Sequence, residues 1–166
     1  MLNMIKIKYG DLLEATEDII CHQCNVQGIF GGGLAAQIAK KWPQCAFSTE
    51  GFAEVFGPGV LGMVHYWKTP DGRTICNCFT QREDFTTDYC LLEKAFIEIL
   101  TICKESNLSV AVPFQYGCGI AHGDWNQVLD IFTRLSTDIG VDINIYCLKG
   151  SVQDAFNSEG QVFREE

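Results

Sequence analysis

The chain has 166 residues, 47% of them hydrophobic and 20% charged, which suits one folded domain with a single core. No apolar run approaches the roughly 20 residues of a membrane span, and the amino terminus lacks the apolar core of a signal peptide, so we expect no membrane association and a cytoplasmic location. The net charge of −9 makes nucleic acid an unlikely partner but allows a small anion held by backbone N–H groups.

Strands and helices alternate along the sequence. Apolar residues at strand spacing predict strands at 4–8, 19–24, 62–67, 74–79, 109–114 and 142–148. Helical spacing predicts helices at 34–42, 45–56, 88–104 and from 125 onward, with Pro43 ending the first and Asp124 as the N-cap of the last. A short helix is predicted after the last strand. The domain is predicted to span 1–157, followed by a frayed tail at 158–166. This alternation predicts one domain, a three-layer α/β/α sandwich.

The nine cysteines suggest no disulfide framework. Cys21 and Cys24 have the C-x-x-C spacing of zinc and redox sites, but residues three apart on a strand face opposite sides and cannot chelate one ion. Cys76 and Cys78 lie on one face of another predicted strand. We interpret these cysteines as small buried hydrophobic residues in a reducing compartment, and we predict neither a metal nor a cofactor.

Two glycine-rich loops, 25–33 and 115–123, each follow a buried strand and lead into a helix. In open α/β sheets, ligands bind beyond the carboxyl ends of the strands, where helix N-termini favour anions. Glycines let the backbone approach a phosphate closely. Two such loops facing one another would form a cleft for a diphosphate, whereas the simpler alternative is a pair of ordinary glycine turns.

The segment GGGLAA also fits the dinucleotide-binding pattern G-x-G-x-x-A. That pattern requires an acidic residue at the end of a second strand, roughly 20 positions further on. Glu50 and Glu54 stand at about that distance, but they lie in a predicted helix. We therefore set the dinucleotide interpretation aside.

Three segments together resemble the macrodomain family: Gly10-Asp11-Leu12 after the first strand, HQCN leading into GGGLA, and YGCGIAHGDW. The resemblance runs from about Ile5 to Phe156. It implies a mixed sheet and an ADP-ribose-type ligand. We also expect the protein to be a monomer. The loops are most similar to the branch of ADP-ribose-1″-phosphate phosphatases, terminal ADP-ribose glycohydrolases and DNA ADP-ribosyl hydrolase antitoxins.

The resemblance also implies roles for single residues. Asp11, next to Leu12, matches the carboxylate that accepts a hydrogen bond from adenine, although it is equally placed to cap a helix. Asn25 matches the asparagine that binds the distal ribose, and Tyr146 matches an aromatic residue that packs on adenine or is simply a core tyrosine. The residues matching the two phosphate loops are Gly31, Gly32, Gly33 and Leu34 in the first, and Gly117, Cys118, Gly119, Ile120 and Ala121 in the second.

The sequence departs from the family at catalytic positions. The glycohydrolase branch has a lysine where this chain has Gln81, beside Arg82, and an acidic residue where it has Ala121. A covalent lysyl mechanism is therefore not expected. His22 matches a histidine proposed to act in catalysis in the phosphatase members, and a neutral buried histidine is the alternative.

Four further residues are weaker candidates. His122 could reach a terminal phosphate or simply be an exposed loop residue. Glu83, Asp84 and Asp88 would supply a carboxylate near the distal ribose if their loop folds over the cleft, and are otherwise solvated.

These observations predict binding of an ADP-ribose-type ligand and hydrolysis at its distal ribose, with ADP-ribose-1″-phosphate as the favoured substrate. His22 and Asn25 are the candidate catalytic residues. Two alternatives stay open: a reader or sequestering module without turnover, and a hydrolase acting on O-acetyl-ADP-ribose or on ADP-ribosylated macromolecules.

Overall fold

A computed structural model describes residues 4–119 and 121–148, together with the backbone of Phe163–Glu165. In this part of the chain a seven-stranded sheet has the strand order β3-β4-β2-β5-β6-β1-β7. The strands are β1 (Ile5–Tyr9), β2 (Ile19–Gln23), β3 (Val64–Lys68), β4 (Thr74–Cys78), β5 (Val110–Pro113), β6 (Ile143–Cys147) and β7 (Phe163–Glu165). The α-helices are α1 (Gly33–Lys41), α2 (Pro43–Phe56), α3 (Tyr89–Ser106) and α4 (Trp125–Ile139).

The sheet is mixed. β3 and β4 form an antiparallel hairpin, and every other neighbouring pair is parallel. The predicted turn at 70–72 closes the hairpin, where Thr69 N donates to Arg73 O at 2.8 Å. Parallel strands need helical crossovers on the sheet faces, so the observed topology requires helices on both sides. The predicted three-layer α/β/α sandwich is confirmed.

The alternation of side chains along β2 divides the core in two. Ile19 and Cys21 pack with the cluster beneath α3 and α4, which includes Phe96 and Phe132. Ile20 faces the other way, into the cluster beneath α1 and α2. Because β2 is buried on both faces, it begins with three apolar residues, Ile19, Ile20 and Cys21, and only Gln23 at its end is partly exposed.

The helix boundaries follow local chemistry. Asp88 and Asp124 cap α3 and α4 by accepting hydrogen bonds from Leu91 N and Asn126 N. Pro43 is the first residue of α2, where a missing N–H costs nothing, so it separates α1 from α2 as predicted. Trp42 at this junction is buried against the sheet.

The carboxyl-terminal segment differs in part from the prediction. Residues 163–165 were predicted to be frayed, and instead they form edge strand β7 beside β1. A segment of only three residues is too short for the alternation of a strand to be recognised in the sequence. The predicted short helix after β6 lies outside the described residues. None of the described helices has the length and hydropathy needed to cross a membrane.

All nine cysteines are free thiols, and seven of them are buried. Cys21 lies beneath α3 and α4, whereas Cys24 belongs to a cluster on the opposite face with Phe79. The two sulfur atoms therefore cannot bind one ion, as their strand spacing predicts. Burial also raises the pKa of the thiols of Cys21 and Cys24 well above the ordinary value.

Candidate functional site

Five adjacent parallel strands bring the predicted site residues to one edge of the sheet. In the order β4-β2-β5-β6-β1, their carboxyl ends lead to Gln81, Asn25, the loop at 115–119, Tyr146 and Asp11. Three interstrand spacings separate β2 from β1, a distance of about 14 Å. The arrangement is therefore a line of residues suited to an elongated ligand.

The first glycine loop ends in an uncapped helix. Gly32 is the N-cap of α1, and no side chain bonds to the N–H groups of the first turn. The first hydrogen bond of α1 runs from Ala36 N to Gly32 O, so the N–H groups of Gly33 and Leu34 have no acceptor within the helix. Gly33 has φ +56°, which favours glycine, and a Cβ there would meet open space. These donors are available to an anion.

Asn25 holds the same loop in shape. Its side-chain oxygen accepts hydrogen bonds from Gln27 N and Ile29 N, both at 3.1 Å, and its Nδ2 donates to Ile29 O at 2.8 Å. Gly28 then packs against α2, because a Cβ there would lie 2.8 Å from Thr49 O. Asn25 lines the cleft, but most of its hydrogen-bonding capacity already braces the loop.

The second loop is held equally firmly. Gly117 has φ +71°, and a Cβ there would lie 2.8 Å from Thr87 Oγ1. Thr87 Oγ1 donates to Gly117 O at 2.6 Å, and Gly123 N donates to the same oxygen at 2.9 Å. Gly119 differs, since nothing lies within 4 Å of an added Cβ. The loop is therefore fixed at its base and open where it faces the cleft.

Two contiguous cavities form the cleft, and the first of them lies between the two glycine loops. One, of about 300 Å³, includes His22, Gly33, Leu34, Gly117 and Gly119 in its lining. The other, of about 290 Å³, extends past Asn25 and Gly31. Both are lined by four common residues, Gln23, Gly32, Ala35 and Gln81. The predicted cleft between the glycine loops is present, and we call these spaces the loop cavity and the distal cavity.

Three other residues of the second loop, Cys118, Ala121 and His122, line neither cavity. Ala121 is buried, and its carbonyl oxygen accepts from Thr87 N at 3.2 Å. Cys118 is partly buried, with Sγ 3.2 Å from Tyr116 O. His122 is exposed, with φ +56°, as in the simpler of its two interpretations. Ile120 lies outside the described residues.

His22 is a neutral, buried histidine that borders the loop cavity. Its Nε2 lies 2.6 Å from Asn77 Oδ1, and because an amide oxygen only accepts, Nε2 carries the proton. Its Nδ1 has no hydrogen-bond partner among the described residues. Burial lowers the pKa of His22 to about 4, opposed by the hydrogen bond to Asn77. The ring is therefore uncharged at neutral pH and a weak base.

Asp11 and Tyr146 lie at the other end of the line. Asp11 Oδ1 accepts from Leu13 N at 2.9 Å, so it caps a short 3₁₀ turn, while its side chain stays exposed. Tyr146 is half-buried and donates to Glu17 Oε1 at 2.6 Å; burial first, then the Glu17 carboxylate, raise its pKa. Leu12 is buried in the core and lines neither cavity. Its predicted contact with the ligand stays a prediction.

The loop at 81–87 folds over the cleft, but not with its carboxylates. Gln81, which the resemblance matches to a lysine of the glycohydrolase branch, lines both cavities. Glu83 and Asp84 are exposed, and Asp88 is held by the first turn of α3 and by Arg82 at 3.1 Å. None of these three carboxylates lines either cavity.

Sequence reasoning did not single out several residues that line the cleft, among them Gln23 and Phe85. Gln23 lines both cavities and donates to Thr80 Oγ1 and Thr87 Oγ1, at 3.1 and 3.2 Å, which ties the end of β2 to the segment between β4 and α3. Phe85 lines the distal cavity although it is half exposed and has φ +67°. A bulky residue in that conformation is an outlier associated with functional sites, but the sequence carries no sign of it.

A larger cavity, of about 630 Å³, lies at the opposite edge of the sheet. Two of its three lysines are in ion pairs, Lys6 with Asp142 at 3.1 Å and Lys8 with Glu17 at 2.8 Å. Ligands of open α/β sheets bind at the carboxyl ends of the strands, where the uncapped helix lies. The cleft is therefore the candidate site.

The comparisons with known proteins identify the fold. No family model matches the chain. The macrodomain of Mycobacterium tuberculosis DarG is 26% identical, with a TM-score of 0.76 over 87% of this chain and 97% of that one. Thermosipho africanus DarTG in complex with ADP-ribose is 19% identical, with a TM-score of 0.72 over 82% of this chain and 39% of that one. The Barmah forest virus polyprotein P1234 is 28% identical over 86% of this chain.

The chain therefore has the macrodomain fold, and the resemblance drawn from the sequence is confirmed at that level. It spans only 6% to 12% of the length of the curated viral polyproteins that it matches. The particular branch of macrodomains stays a prediction.

The contrast between Gly117 and Gly119 gives a matched test of the second loop. We expect Gly117→Ala to lower the free energy of unfolding by about 1–3 kcal/mol, because it combines a strained conformation with a steric clash. Gly119→Ala meets open space and should leave stability unchanged. Urea unfolding of both variants measures the difference, and equal stabilities would contradict the described loop.

The buried state of His22 predicts a pH dependence of stability. Its pKa is lower in the folded chain, about 4, than the ordinary 6.5, so the unfolded chain binds the proton more tightly. The contribution of His22 to the free energy of unfolding is therefore greatest above pH 6.5. It should fall by about 3 kcal/mol as the pH decreases to 4. Unfolding of wild type and His22→Gln should show a smaller acid loss in the variant; parallel curves would contradict a buried, neutral His22.

Proposed function

We propose that this chain binds an ADP-ribose-type ligand along the carboxyl edge of its sheet. One observation carries the proposal: the uncapped first turn of α1 faces the loop at 117–119 across a cleft lined by both. Unpaired N–H groups at a helix N-terminus form an anion site without a formal positive charge. Such a site is compatible with a protein of net charge −9.

The line of residues at the strand ends supports the orientation of the ligand. Asp11, exposed beyond β1, would accept a hydrogen bond from the adenine amino group with the oxygen that does not cap the 3₁₀ turn. The diphosphate would lie over Gly32, Gly33 and Gly119, and the distal ribose in the distal cavity beside Asn25. The complex of DarTG with ADP-ribose is consistent with this ligand for the fold.

Hydrolysis at the distal ribose is the second candidate function, with ADP-ribose-1″-phosphate as the favoured substrate. It is supported by the unpaired Nδ1 of His22, a buried acceptor on a residue that lines the loop cavity. Against it stands the lining of the distal cavity, where the described residues include no lysine, histidine or carboxylate. Binding without turnover therefore has the stronger support, and a reader module is the simpler consequence.

Substitution of Gly32 tests the placement of the phosphates. Gly32 has an extended backbone, with φ −157°, so other residues can adopt its conformation. Gly32→Glu places an anion at the N-terminus of α1, whereas Gly32→Gln adds nearly the same volume without charge. Calorimetric titration with ADP-ribose should show binding to wild type and a loss of at least about tenfold more affinity in Gly32→Glu than in Gly32→Gln. Equal losses in the two variants would overturn the phosphate site.

Phosphate release from ADP-ribose-1″-phosphate tests turnover. If His22 acts in hydrolysis, His22→Ala should slow release at least about 100-fold while ADP-ribose affinity changes little. Full activity in the variant would remove His22 from the mechanism. Binding by wild type without phosphate release would exclude this reaction and favour the reader module.

A further inference from the structure

A surface groove of about 550 Å³ continues from the distal cavity. It lies between the first glycine loop, the carboxyl-terminal half of α2 and the loop at 81–87. Three residues, Gln27, Ile29 and Phe85, line both the distal cavity and this groove, so the two spaces share a wall. Whatever extends from a ligand in the distal cavity can pass directly into the groove.

The groove offers apolar contact to a partner. Ile29 and Phe85 are 47% and 50% exposed at the boundary with the distal cavity. Phe85 is held there by a tight turn, in which Phe85 N donates to Arg82 O at 2.8 Å and Arg82 N to Thr86 O at 2.7 Å. Its positive φ is a conformation that costs free energy, and the surrounding hydrogen bonds maintain it. These bonds hold the backbone from which the exposed ring of Phe85 projects.

Carboxylates surround this apolar floor. Three exposed carboxylates line the groove: Glu50 and Glu54 on α2, and Glu83 in the loop at 81–87. No lysine or arginine lines it, and none of the three carboxylates forms an ion pair within the described part of the chain. The groove therefore has a negative potential that its own side chains do not neutralise.

We propose that the groove binds a basic peptide segment that carries the ADP-ribose at its distal ribose. This inference rests on the proposed function, which places the distal ribose in the adjoining cavity. Lysine and arginine side chains would pair with the three carboxylates, while their methylene groups pack on Ile29 and Phe85. A nucleic acid is the less favoured occupant, because its phosphates would meet three carboxylates and a net charge of −9.

Synthetic conjugates test the proposal. ADP-ribose is attached at its C1″ position, through a non-hydrolysable linkage, to a peptide with three lysines or to the same peptide with three glutamates. Titration at low ionic strength should show the lysine conjugate binding about tenfold more tightly than free ADP-ribose, and the glutamate conjugate binding more weakly. The gain should disappear in 1 M salt, where screening shortens the range of the charges.

A matched pair of variants separates the groove from the overall charge. Glu50→Gln/Glu54→Gln/Glu83→Gln should abolish the gain from the lysines while affinity for free ADP-ribose stays unchanged. The control Glu105→Gln/Asp130→Asn/Asp138→Asn removes the same charge from exposed positions of α3 and α4, which lie on the opposite face of the sheet from α2. This control variant should still bind the lysine conjugate more tightly than free ADP-ribose.

The outcomes distinguish the two proposals. Normal binding of free ADP-ribose with no difference between the conjugates would overturn the peptide groove alone. Tighter binding of an ADP-ribosylated oligonucleotide than of the lysine conjugate would overturn it in favour of a nucleic-acid partner. Failure to bind free ADP-ribose would overturn the proposed function, and the groove proposal with it.

Discussion

The unpaired N–H groups at the start of α1 are the interaction on which the rest of the site depends. Gly32 caps the helix without a side chain, and Gly33 takes a conformation that favours glycine, so these donors face the cleft. A serine or aspartate cap would stabilise the helix by about 1 kcal/mol and would block the same donors. The chain forgoes that local stability and leaves the helix N-terminus available to an anion.

The neighbouring structure holds this exposed end in place. Asn25 braces the first loop, and the bond from Thr87 to Gly117 O fixes the second loop opposite it. Gln23 joins the two regions by donating to Thr80 and Thr87. Asn25 and Gln23, two of the polar side chains that line the cleft, are thus used to hold the loops in place. This favours binding by a preorganised backbone over catalysis by charged side chains.

Much of the fold was predictable from the sequence, because local patterns determine it. The apolar run of β2, the caps Asp88 and Asp124 and the proline between α1 and α2 each act through nearby residues. The cleft was predictable as well, since parallel strands must place their following loops at one edge.

Other parts of the site could not be predicted from the sequence. Asn77 lies 55 positions from its partner His22, and burial, which no local pattern reports, sets the pKa of that histidine. Phe85 depends on a turn whose positive φ leaves no mark in QREDFTTD.

The central claim is that backbone amides at the start of α1 and in the loop at 117–119 bind the diphosphate of an ADP-ribose-type ligand. Chemical-shift mapping of the amide groups during titration with ADP-ribose tests it most directly. We predict the largest shifts at Gly33, Leu34 and Gly119. Shifts concentrated instead at Lys104 and Ser109, beside the cavity at the opposite edge of the sheet, would contradict the account.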